Sequence, residues 1–167
     1  QLQEDMLLED SAIVDVGSSN VEQFLDLMRQ YRGSHEDFDM YVVPCVPAVK
    51  QQRDTIACIR ALSGLGVPAA KIRVVFNMVP ADAQVATVFA PLFAFAAHER
   101  LCLLDPAAAV EASELFARLR DLELSIQEVL DDQTDYKQAI AQSRDPAQKV
   151  ALAARLSVRR LAAGMSE

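Results

Sequence analysis

Three residues are of types suited to chemistry: Asp15, Gly17 and Asn77. Asp15 and Gly17 lie in "SAIVDVGSSNVEQF", where an apolar run stops at a carboxylate and an amphipathic stretch begins. Asn77 closes "KIRVVFN" in the same way. A carboxylate at the end of a strand suits a hydrated magnesium ion, which prefers hard oxygen ligands and keeps several waters. A glycine beside it lets backbone come close to a phosphate. An asparagine amide offers a donor and an acceptor together, enough to read a base edge. The same residue types also form turns and cap helices, so the elements that hold them decide their value.

Those elements follow from hydrophobic periodicity. Residues 11–16 are apolar and rich in β-branched side chains, which predicts a buried strand. Ser19 and Glu22 stand at capping-box spacing. Val21, Phe24, Leu25, Met28 and Tyr31 then form one apolar helical face, which ends near Gly33. Residues 38–45, "FDMYVVPC", read as a second strand. Pro47 opens a helix to about residue 63, closed by Gly64 or Gly66 in a left-handed cap. Residues 71–76 read as a third strand, 82–97 as a helix despite Pro91, and 100–104 as a short fourth strand. From Pro106 onward Ala, Leu, Glu and Arg dominate, which predicts helices near 107–129, at 135–142 and at 146–163.

Strands alternating with helices of this length mean βαβ units and a parallel sheet. Near-continuously apolar strands imply cover on both faces. The expected fold class is therefore α/β, a three-layer sandwich with a mainly parallel sheet and a C-terminal helical tail. Residues 1–105 form the core and 106–167 form helices packed on the same domain. Ile13, Val14, Val42, Val43, Val74, Val75 and Leu103 are expected to be buried. In such a sheet ligands bind beyond the carboxyl ends of the strands, which would set Asp15 and Asn77 on one edge.

Composition narrows the partners. The chain has 167 residues and a net charge of −8, enough length for a sizeable core but a poor unaided binder of a phosphate backbone. Lys149, Arg155, Arg159 and Arg160 are the best local basic patch; a solvated helix face is the plainer reading. No charge-free apolar stretch reaches the ~18 residues a membrane span needs, and the acidic first ten residues are unlike a secretory signal. Cys45, Cys58 and Cys102 lack metal-type spacing and read as small buried hydrophobes. They suit a reducing, cytoplasmic location. His35 and His98 accompany no recognisable Ser or Cys motif and read as loop or capping residues.

Taken in order, residues 11–79 resemble the later part of a ParA/MinD-type P-loop ATPase, the deviant Walker A class. "AIVDVG" is similar to that family's Walker B-type strand. "YVVPCVPAVKQQRDTIACIRALSGLGVPAAKIRVVFNMV" looks like the strand, helix and strand that follow it. The resemblance is strongest to plasmid-stability and conjugation-associated members, the StbB and TraL type. It implies a P-loop NTPase-like fold, with ATP and magnesium as cofactors. Asp15 would support the metal through water, Gly17 would approach the γ-phosphate, and Asn77 would contact the base. A homodimer and a protein partner in partition or transfer machinery are implied as well.

The chain departs from that family in one respect. Gly17, Gly33, Gly64, Gly66 and Gly164 begin no Gly-rich loop with a lysine, which the family carries on a strand upstream of "VDVG". That strand lies between those corresponding to 11–16 and 39–45. Since the first residue is Gln1 rather than Met, an upstream segment is expected, and residues 1–167 alone are expected not to hydrolyse ATP. The lack of N-K-x-D after Asn77 leans toward adenine. A phosphoacceptor receiver domain would need a lysine at the last strand, where Leu104 and Asp105 stand instead. The remaining alternative is a non-enzymatic α/β interaction module with no nucleotide site.

Overall fold

The computed structural model describes residues 11–165. The chain divides into two compact units, the first ending at Ala112 and the second beginning at Ser113. In the first unit, three strands, β1 (Tyr41–Cys45), β2 (Ile72–Val79) and β3 (Leu103–Glu111), form one parallel sheet in the order β1-β2-β3. Helix α1 (Val21–Gln30) precedes β1, and α2 (Val49–Gly64) connects β1 to β2. Helices α3 (Val85–Val88) and α4 (Ala90–Glu99) connect β2 to β3. The α/β class and the parallel sheet agree with the strand–helix alternation of the sequence.

One sheet face carries the core. Register places Tyr41 beside Ile72, Val43 beside Val74, and Cys45 beside Phe76. Alternate residues share a face, and all of these except half-buried Val43 are buried. They meet Leu25 and Met28 of α1, Ile59 and Leu62 of α2, Phe89, and Leu92 and Phe95 of α4 in one cluster. Phe76 is the hub, 4.8 Å from Phe89 and stacked on Phe93 at 5.4 Å between ring centroids. The opposite face is different. Its row Val42, Arg73 and Leu103 is set by register, and Val42 is 56% and Leu103 44% exposed. Of the seven positions expected to be buried, only Val74 is fully so. Val43, Val75 and Val14 are half-buried, and Ile13 is 99% exposed.

The ends of the first unit correct three expectations. Residues 11–16 form no strand: they run as unpaired chain into a 3₁₀ turn at Ser18–Asn20. A strand needs a neighbour for its backbone N–H and C=O groups, and these six residues have none in the sheet. The Ser19–Glu22 capping box does not form either. Asn20 is the N-cap of α1, and its N–H is spent on the Gly17 carbonyl at 2.8 Å. At the other end, no helix starts at 107, because β3 runs on to Glu111. Its pairing breaks between Leu104 and Ala109, where the Asp105 carboxylate accepts the Ala107 N–H at 2.9 Å. It then resumes against Phe76 and Val79. Pairing with β2 overrides the helix preference of the alanines there, since tertiary context outweighs local propensity.

Among its described residues the second unit holds four helices: α5 (Leu115–Asp121), α6 (Ile126–Asp131), α7 (Tyr136–Gln142) and α8 (Pro146–Gly164). Helix α8 packs against each of the others. Leu115, Leu119, Val129, Val158 and Ala162 make its core. The helices expected at 135–142 and 146–163 are present within one residue at each end. The expected 107–129 helix is instead the end of β3 followed by α5 and the start of α6.

Candidate functional site

The carboxyl edge of the sheet is the place to look for a site in a parallel α/β unit. Asn77 lies there, near the end of β2, at a bulge. Met78 takes a left-handed backbone (φ 56°), and the β2–β3 register shifts between Phe76 and Val79. Burial alternates through Ile72, Val74 and Phe76, then skips to Val79, as an inserted residue requires. The Asn77 Oδ1 accepts the Met78 N–H at 2.9 Å, so the amide helps hold the bulge. This favours the turn-forming role in the structure as it stands.

Asp15 and Gly17 lie elsewhere. Both are exposed, in the unpaired chain ahead of α1. Since 11–16 is outside the sheet, no strand carries Asp15 to the edge where Asn77 sits. Gly17 has φ −57°, open to any residue, and a Cβ built on it meets nothing within 4 Å. Nothing in the described fold needs glycine there. Among the described residues, no group of three or more His, Cys, Asp or Glu is placed to hold a metal ion.

Sequence reasoning missed the residue that organises the edge beside β1. Gln52, in the first turn of α2, is buried. Its Nε2 donates to the Pro47 carbonyl at 2.8 Å and to the Val88 carbonyl at 3.0 Å. It thereby ties the loop after β1 to the end of α3, while its Oε1 is buried without a partner. The only hint in the sequence is a polar residue at a helix position where burial would otherwise select an aliphatic one. Thr55, one turn on, is also buried and hydrogen-bonds the Cys45 side chain. Burial pushes the Cys45 thiol up more than Thr55 draws it down, and burial raises Cys58 and Cys102 too. A raised thiol is a poor nucleophile, in keeping with small hydrophobes.

The histidine loop is structural. The Tyr41 hydroxyl donates to the His35 carbonyl at 3.0 Å, and burial pushes Tyr41 up to about 12. Lys71 Nζ donates to the Phe38 carbonyl at 2.6 Å, fixing the same loop to the start of β2. His35 packs against Gly66, the left-handed residue (φ 99°) just past the end of α2.

In the second unit, a cleft of about 270 Å³ is lined by Glu128, Asp132, Thr134, Tyr136, Arg155 and Arg159, among others. The Arg159 guanidinium lies 4.8 Å over the Tyr136 ring and donates to the Thr134 carbonyl at 2.7 Å and the Asp132 carbonyl at 3.2 Å. Tyr136 donates to the Asp132 carboxylate. The Thr134 and Tyr136 side chains and the Thr134 amide hold Asp132 at about 2. Arg159 is therefore a clamp between α8 and the loop before α7, and the basic stretch does not present four free cations.

Comparison with known proteins yields no match: no family model, no curated protein and no solved structure is similar to the chain.

Proposed function

We propose that this chain is the part of a ParA/MinD-like nucleotide-binding protein that follows the phosphate loop, acting in plasmid stability, partition or conjugative transfer. The observation that supports this best is a paired deficit. Among the described residues β1 has a strand on one side only, and the apolar 11–16 stretch ahead of α1 runs unpaired with Ile13 in solvent. One parallel strand inserted between them would give both their backbone partners. A helix following that strand would cover Val42 and Leu103 and complete a three-layer sandwich. Pro44, in β1, has no N–H to give; prolines in sheets are confined to such free sides, so pairing on that side would rest on the other residues of β1.

The donor set fits a hydrated magnesium ion in one limited sense. Asp15 is an exposed carboxylate, suited to the outer shell, and the described residues offer no inner cage. The metal would stabilise phosphate charge. Asp15 would orient its water, Gly17 would leave room for phosphate, and Asn77 would turn its amide from the bulge to an adenine edge. A cytoplasmic homodimer goes with this reading. The test is a thermal-shift titration of the intact gene product with Mg-ATP. At 100 times Kd a site stabilises the fold by about 2.7 kcal/mol, and Asp15→Ala should weaken the magnesium dependence while leaving the melting temperature without ligand unchanged. Residues 1–167 alone should hydrolyse no ATP above background, since they carry no lysine-bearing cradle.

One observation favours a second reading. The exposed Val42 and Leu103 flank Arg73 in one row across the three strands, an open face on which a non-enzymatic module could dock a protein. That protein would show no response to Mg-ATP.

A further inference from the structure

No further inference is drawn: the strongest candidate, the open face of the β-sheet where Val42, Pro44, Val75 and Leu103 surround Arg73, is a surface patch for which nothing in the structure shows what covers it beyond the reading already proposed.

Discussion

The two units end their helices in opposite ways. In the second, local side chains meet the free N–H groups at every helix start. Ser113 Oγ accepts from Leu115, Ser125 and Glu128 form a full capping box, Asp135 accepts from Gln138, and Asp145 accepts from Ala147. In the first, none of α1 to α4 has a side-chain N-cap. The same contrast holds for larger surfaces. The second unit ties Arg159 to the Asp132 and Thr134 carbonyls, whereas among the described residues the first leaves one side of β1 without a strand and Val42 and Leu103 exposed. Caps contribute about 0.5–2 kcal/mol each, so the second unit adds local contacts to the packing of its helices on α8. The first depends on long-range packing around Phe76.

The largest test of that contrast is Phe76→Ala. A fully buried phenylalanine replaced by alanine costs about 3–5 kcal/mol, and Phe76 is 0% exposed with two ring partners. The expected outcome is loss of amide-exchange protection across β1, β2 and α2, with protection in α8 retained. Equal loss in α8 would show that the units do not differ in this way. Leu115→Ala, at a fully buried site in the second unit, should cost about 2–5 kcal/mol and reverse the pattern.

Gly66→Ala should come next, at about 1–3 kcal/mol. Its backbone is left-handed, and a Cβ there would lie 3.1 Å from the His35 Nε2. Gly17→Ala is the control, with open space and an ordinary φ, and should leave the melting temperature of this chain unchanged. A drop at Gly17 equal to that at Gly66 would mean that the 11–20 stretch is packed more tightly than its exposure indicates.

The units should also fail at opposite ends of the pH scale. Asp132 sits at about 2, below its ordinary value near 3.8. Its contribution is therefore present above about pH 4 and is lost as pH falls toward 2. Tyr41 is raised from 10.0 to about 12, so its contribution is present below about pH 10 and is lost as pH rises toward 12. Exchange protection measured along both limbs should fall first in α7 and α8 in acid and first around β1 in base. Tyr136→Phe, which removes a hydroxyl bond to Asp132, should move the acid limb upward and leave the alkaline limb in place.

What could be read from the sequence depended on the range of the interactions. The helix at 146–163 was legible because Asp145, Pro146 and an uninterrupted helical pattern are local signals. The strand at 71–76 was legible because its near-continuous apolar, β-branched run is a local signal, although the bulge at Asn77 and Met78 hid its last residues. Residues 11–16 misled because β-branched composition marks a chain that would pair well, and pairing needs a neighbour that composition does not report. Residues 107–111 misled the other way: alanines with a helical preference were recruited by the edge of β2. Of the candidate site, the residue types were legible but not their assembly, since Asp15 lies in unpaired chain ahead of α1 and Asn77 at the bulge of β2. Gln52 escaped because its two acceptors, the Pro47 and Val88 carbonyls, are backbone groups 5 and 36 residues away.

The smallest expected effects bear most directly on the open side of the first unit. Ile13→Ser and Val42→Thr change side chains that are 99% and 56% exposed. Surface substitutions of this kind alter stability by about 0.5 kcal/mol or less, so in residues 1–167 both variants should melt with the parent. In a longer polypeptide that supplies a strand beside β1 and a helix over its face, the same positions are buried. Fully burying a valine or isoleucine is worth about 1.5–3 kcal/mol, so each polar replacement should then lower stability by at least about 1 kcal/mol. The comparison needs only chemical denaturation of each variant in the short and long proteins. A cost that appears in the long protein alone supports the inserted strand. Equal costs in both would mean that the open side is already complete and that the proposed arrangement is wrong.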